Sequence, residues 1–311
     1  MKLNVQDKVF IVTGGASGIG EAICKVLSAE GAIPCILDRD LDKSKKVEQD
    51  IKNAGGQVFY RLTQLTDEED CKKAVEEIIA RFGSIDGLVN NAGLNDGVGL
   101  ENGNYEDFIS SLKRNVTHYF MVAHYALPAL IQSKGAILNI TSKVAETGQG
   151  GTSGYAAANG VRNDLTTEWS VELAKYGIRV NSIVVAECMT PQYEWWIQQQ
   201  DDPQQKIKEI SQRIPLENRM TTPKEIADMA AFLLSENASG ITGEFIHVDG
   251  GYVHLDRRIE TLTTSYYKEP RISFIARFHS HKRTSLFCDS CWVPVAINQV
   301  VHRRRLNEKS S

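Results

Sequence analysis

The sequence predicts an α/β protein with a doubly wound, seven-stranded parallel sheet, and three observations carry that prediction. Short apolar runs of strand length alternate with longer segments of helical periodicity, a glycine-rich turn follows the first run directly, and no Pro/Gly/Ser-rich linker divides the first 255 residues. The first strand run is "KVFIVTG" and the helix after it "EAICKVLSAEG". "IPCILD" leads into "LDKSKKVEQDIKNAG", "QVFYRL" into "EEDCKKAVEEIIARFG", and "IDGLVNNAG" into a long segment ending at Ser133. "GAILNITS" precedes "YAAANGVRNDLTTEWSVELAKYG", "IRVNSIVV" precedes "TPKEIADMAAFLLS", and "GEFIHVDGG" is the seventh run. In the third helix Ala74, Val75, Ile78, Ile79 and Phe82 recur at i, i+1, i+4, i+5 and i+8, which makes one buried face. The stretch 192–219, rich in aromatic and amide side chains ("QYEWWIQQQDDPQQ"), breaks the alternation after a strand end, where an insertion either covers a ligand or forms a plain helical hairpin.

Composition excludes several function classes. A hydrophobic content of 42%, a charged content of 24% and a net charge of −4 are ordinary for a globular protein and single out no nucleic-acid or membrane partner. No run of about 18 apolar residues is present, and "MKLNVQDKVFIVTGG" carries charges where a secretory signal needs an apolar core, so a cytoplasmic location is expected. Cys24, Cys35, Cys71 and Cys188 have no paired spacing, which suits reduced thiols in that compartment.

The turn "TGGASGIG" opens the first helix. Its Gly14, Gly18 and Gly20 let the backbone turn tightly and approach a pyrophosphate, while the helix N-terminus offers amide donors and partial positive charge. A glycine turn can be only a tight turn, but in this strand–turn–helix context it is expected to be the dinucleotide site of a Rossmann-type domain. Asp38 ends the second strand run, where a carboxylate accepts hydrogen bonds from ribose hydroxyls and repels a 2′-phosphate, so NAD is expected as cofactor. Arg39 beside it would suit a 2′-phosphate and keeps NADP as the lesser alternative.

With "TGGASGIG", "NNAG" at Asn90–Gly93, Asn115, Ser142 and Tyr155 in this order, the sequence resembles the short-chain dehydrogenase/reductase family over roughly residues 5–255. Its loops "NNAGLNDGVGL", "TGQGGTSGY", "AECMTPQYEWW" and "DGGYVHLDR" resemble the bacterial L-fucose-oxidising branch. The resemblance implies that Tyr155 is the general acid/base, that Ser142 bonds the reacting oxygen and that Asn115 supports a proton relay through water. It implies cofactor contacts at Gly14, Ser17, Gly18, Ile19, Gly20, Asp38, Asn91, Ala92, Gly93, Tyr155 and Thr190, and no metal. The implied reaction is NAD(P)-dependent oxidation of a sugar hydroxyl, an L-fucose-like aldose going to its lactone, by a homotetramer. A non-catalytic dinucleotide-binding homologue, or a family member acting on another alcohol such as a steroid, are the other readings.

This chain departs from the family pattern at residue 159. A lysine there holds the nicotinamide ribose and favours the tyrosine phenolate, whereas Asn159 is a neutral amide. A free phenol near pKa 10 is only about 0.1% ionised at pH 7, so impaired activity is expected unless another cation stands near Tyr155. On this reading Asn159→Lys raises turnover. Lys143 is the nearest cation in sequence, but its position beside Ser142 reads as a surface charge facing away. Gln64 stands where the family has an aspartate near the adenine, and Val185 where it has a proline.

Residues 1–256 are therefore expected to form the dinucleotide-binding and catalytic domain, with 192–219 as its covering insertion, and 257–311 a disordered or irregular extension. From Arg257 onward the chain has 11 Lys/Arg against 4 Asp/Glu. His279, His281, Cys288 and Cys291 in "HSHKRTSLFCDSC" are possible zinc ligands on a single loop's worth of sequence, too little to assign a metal.

Overall fold

In the computed structural model the described residues are 2–256, all within one compact unit, 1–259. The extension 257–311, with its expected irregularity and its His/Cys cluster, lies outside the described residues. The strands are β1 (Val9–Thr13), β2 (Ile33–Asp38), β3 (Phe59–Leu62), β4 (Gly87–Asn90), β5 (Ala136–Ser142), β6 (Arg179–Val185) and β7 (Phe245–Val248). They form one parallel sheet in the order β3-β2-β1-β4-β5-β6-β7. The chain runs outward from β1 to β3 and returns to β4 beside β1, so the strand order reverses between β1 and β4. A crevice outside the carboxyl ends of the strands opens at such a reversal.

The first helices are α1 (Gly18–Ala29), α2 (Leu41–Asn53) and α3 (Glu68–Phe82). The long segment after β4 resolves into α4 (Tyr105–Leu112), a π turn (Lys113–Thr117) and α5 (His118–Ser133). After β5 come α6 (Val144–Thr147) and α7 (Ser153–Ala174), and after β6 come α8 (Pro191–Gln198), α9 (Pro203–Ser211) and α10 (Pro223–Leu234). Strand side chains alternate between two cores. Phe10 and Val12 pack with Ile23, Leu27, Ile226 and Ala230, whereas Val9 and Ile11 pack with Val75, Ile78, Tyr119 and Leu130. The apolar face predicted for α3 is present, with Ala74, Val75 and Ile78 buried and Ile79 and Phe82 packed partly against them.

The insertion folds as the pair α8 and α9 around a small core of its own, Ile197, Ile214 and Met220, with Tyr193 and Tyr252 against it. Both helices start at a proline preceded by a side chain that accepts a first-turn amide, Thr190 for α8 and Asp202 for α9. Cys24, Cys35, Cys71 and Cys188 are free and buried, and burial pushes the thiols of Cys35, Cys71 and Cys188 up to about 12. No helix among the described residues is long and apolar enough to cross a membrane.

Candidate active site

The glycine turn sits at the reversal. Gly14 and Gly18 have φ of 65° and 59°, values that L side chains rarely adopt. Ser17 precedes α1 without a side-chain cap, so the first-turn amides of Ile19 and Gly20 keep their open, anion-facing end. Asn91 clamps this turn from β4: its Nδ2 donates to the carbonyls of Thr13 at 2.9 Å and Gly14 at 3.2 Å. The Thr13 hydroxyl accepts from the amides of Asn91 and Ala92 at 2.9 and 3.2 Å. Asp38 ends β2 with one carboxylate oxygen accepting from the Ala16 amide at 3.1 Å and the other from Asp40 at 3.0 Å, while Arg39 is exposed. Thr190 packs near Gly18, where an added Cβ would lie 3.5 Å from it. The expected cofactor residues are thus gathered along one edge of the crevice, and a tight glycine turn, open helix amides and a carboxylate at the next strand end fit a dinucleotide.

The expected chemical residues lie on the adjoining elements. Ser142 is the last residue of β5, Tyr155 stands in the first turn of α7, and α7 packs on β5, α6 and the π turn. Asn115 is wholly buried in the π turn; its Oδ1 accepts from the Leu94 amide at 2.7 Å and its Nδ2 donates to the Ser111 carbonyl at 3.0 Å. A π turn releases backbone groups from the regular ladder and is frequent at functional sites. Here the Asn115 carbonyl is taken by a residue that the sequence reading passed over, Arg162. Gln64, whose amide is bound by Asp70 at 2.6 Å, and Val185, which closes β6 as a buried strand residue, keep local structures that do not disturb the site.

Arg162 is 2% exposed. Its Nε and Nη2 donate to the Asn115 carbonyl at 2.8 and 2.5 Å, Nη1 to the Ile140 carbonyl at 3.4 Å and to Asn159 Oδ1 at 3.1 Å, and Nη2 to the Ala92 carbonyl at 3.4 Å. Its Cζ lies 4.5 Å from the Tyr119 ring centroid and 5.9 Å from that of Tyr155. Gly93 leaves it room, since a Cβ there would come within 2.6 Å of Nη2. Tyr155, Asn159 and Arg162 are spaced i, i+4 and i+7, one face of a helix, and that spacing is the sequence signal that could have found it.

Two titratable neighbours stay neutral beside this cation. His118, fully buried with Nε2 on the Ala92 carbonyl at 3.1 Å, has its pKa pushed down to about 3 by burial and by Arg162. Tyr119, whose hydroxyl donates to the Ile140 carbonyl at 2.8 Å, is pushed well above the ordinary phenol value by burial. Neither carries charge near neutral pH.

Lys143 requires a correction. β5 stops at Ser142, so strand alternation does not extend to Lys143; it begins α6 with 6% exposure, ion-paired to Glu187, with its ammonium 3.9 Å from the Tyr252 ring centroid. It is a buried, neutralised charge, not a surface one. The Tyr193 hydroxyl donates to the other Glu187 oxygen, which ties α8 to the same pair. Close by, His247 Nε2 lies 3.1 Å from both Glu146 carboxylate oxygens and His254 Nε2 lies 3.3 Å from His247 Nδ1, a cluster of side chains that bond one another.

A family model described as enoyl-(acyl carrier protein) reductase matches residues 14–253. L-fucose dehydrogenase of Bos taurus is 36% identical over 245 residues, 78% of this chain and 88% of the relative. The 3-oxoacyl-(acyl-carrier-protein) reductase of Thermotoga maritima is 32% identical over 252 residues, 81% of this chain and 100% of the relative. Among solved structures, Cj0485 dehydrogenase superposes with a TM-score of 0.79 at 41% identity, over 83% of this chain and 99% of that one. The chain belongs to the short-chain dehydrogenase/reductase family of oxidoreductases. Members of this family bind NAD(H) or NADP(H) and act on small molecules.

Proposed function

We propose that the protein is an NAD-dependent dehydrogenase that oxidises the anomeric hydroxyl of an L-fucose-like aldose to the lactone. The observation that carries this reading is the placement of Ser142 and Tyr155 on β5 and α7, beside a glycine turn whose neighbouring strand ends in Asp38. The similarity to L-fucose dehydrogenase supports the sugar. In this mechanism Ser142 donates a hydrogen bond to the substrate oxygen and holds it against Tyr155, whose phenolate takes the hydroxyl proton. Gly14–Gly20, Asp38 and Asn91–Gly93 would hold the cofactor, which would supply the hydride acceptor for the same carbon. The cover formed by α8 and α9 excludes water from the reacting face. Exposed apolar side chains on the outer helices, Ile109, Phe120, Val161 and Val171, support assembly of copies through these helices into a homotetramer.

Purified full-length protein with L-fucose and NAD is expected to produce NADH, read by absorbance, and a substrate panel without any aldose turnover would remove the sugar assignment. Asp38→Ala is expected to weaken NAD at least about tenfold and NADP less, because only NAD presents the free ribose hydroxyls that the carboxylate would bond, whereas the Ala16 amide it holds serves both dinucleotides. Titration of each dinucleotide against the variant measures this directly. Equal loss for both would count against Asp38 as the discriminating residue.

A further inference from the structure

We infer that Arg162 supplies the positive charge at Tyr155 that a lysine at 159 would otherwise provide, and that Asn159 is its positioning partner; this rests on reading Tyr155 as the proton acceptor. Arginine is almost never fully buried unless paired, and an unpaired buried charge is strongly disfavoured. Yet all five hydrogen bonds of Arg162 go to neutral oxygens, and among the described residues none is a carboxylate. Its charge is therefore left uncancelled, 5.9 Å from the Tyr155 ring centroid and within cation–π range. A residue needed only to fill space or tie carbonyls would not require a full charge there.

The other charges around α7 are spoken for. Lys143 on α6 is paired with Glu187, and Glu146 faces His247. On the π turn Arg114 pairs with Asp96 and Lys113 is exposed. On α5 His118 and Tyr119 stay neutral, and β5 carries no ionisable side chain. At the start of β6 Arg179 donates to the carbonyls of Leu233 and Ser235, and the acidic Glu106 and Asp107 of α4 are exposed. Among the described residues Arg162 is thus the cation in contact with the Tyr155 ring.

Asn159 completes the arrangement. Its Oδ1 accepts from Arg162 Nη1 at 3.1 Å while its Nδ2 donates to the Tyr155 carbonyl at 2.9 Å. A lysine at 159 would set a second cation against the guanidinium in a wholly buried position. Asparagine at 159 and arginine at 162 therefore belong together, and the sequence-based expectation that Asn159→Lys alone raises turnover is reversed: the single substitution is expected to lower it.

The test follows Tyr155 ionisation without substrate, by NMR of ring-labelled tyrosine in the full-length protein, with the Tyr155→Phe spectrum assigning its signal. Arg162→Met is expected to raise the titration midpoint by at least about one pH unit, and the rising limb of the pH–rate profile with it. Arg162→Lys, and the relocation Asn159→Lys with Arg162→Leu, are expected to stay within about half a unit of the parent, rescuing what methionine loses. A purely structural Arg162 would alter melting temperature and leave the midpoint in place, which overturns the inference. If Arg162→Met does not fold, the parent decides: a Tyr155 midpoint no lower than that of free tyrosine, near 10, also overturns it. A midpoint that moves as expected in a protein oxidising no aldose upholds the Arg162 assignment and removes the proposed substrate. Turnover of L-fucose with an unmoved midpoint removes Arg162 alone.

Discussion

Tyr155→Phe is expected to lower turnover at least about a thousandfold at every pH while leaving NAD affinity within about twofold. The ring and its packing remain, and only the oxygen proposed to take the substrate proton is lost. A thousandfold loss corresponds to about 4 kcal/mol of transition-state stabilisation, within the range general-base removal produces. The sign of the parent pH dependence follows from the same group: the phenolate is the active form, so activity rises with pH until Tyr155 is ionised. Steady-state NADH production between about pH 7 and 10.5, beside an equilibrium titration of NAD, separates catalysis from binding. If the phenylalanine variant keeps a tenth of parental activity, another group takes the proton.

Gly20→Ala should have the largest effect on dinucleotide binding. A Cβ at Gly20 would sit 2.2 Å from the Gly14 carbonyl oxygen and 2.7 Å from Asn91 Nδ2, so the backbone of the turn itself must move. The same carbonyl accepts from Asn91, and displacing it breaks the clamp between the first and fourth strands. Overpacking of this kind costs about 1 to 3 kcal/mol, and NAD affinity is expected to fall at least about tenfold with a lowered melting temperature. Gly240, where a Cβ meets nothing within 4 Å, provides the control, and its alanine variant should bind NAD as the parent does. Unchanged affinity in Gly20→Ala would remove the turn from the binding site.

The seven strands were legible because each is a short apolar run bounded by glycines or helical periodicity, and their alternation with helices predicts the parallel sheet observed. The glycine turn, Asn91 and Asp38 were legible for the same reason: their spacing from strand ends fixes their place in space. What stayed hidden depended on tertiary contact. The π turn at Lys113–Thr117 has no compositional mark, since it arises where the Asn115 carbonyl leaves the ladder to meet Arg162. Lys143 was misplaced because strand alternation was carried one residue past the strand's end. Arg162 was missed because a substitute for the charge was sought next to Ser142 in the chain, although two turns of one helix separate Tyr155 from a cation on its own face. The insertion was visible as an irregular stretch, but not the small core that gives it a shape.

The buried link from Lys143 through Glu187 to Tyr193 gives the cover unequal compliance along its length. Lifting α8 would break the bond from the Tyr193 hydroxyl to Glu187, whose side chain is 12% exposed and paired with Lys143, and would draw the buried Ile197 out of its cluster. Helix α9 has no fully buried residue, and its Ile207 and Ile210 pack only partly against the same cluster. Local opening takes the cheaper route, through the part with fewest buried contacts. Were the pair to cover a ligand as proposed, opening would begin at Pro203–Ser211, while Pro191–Gln198 stays held through Tyr193 and Ile197.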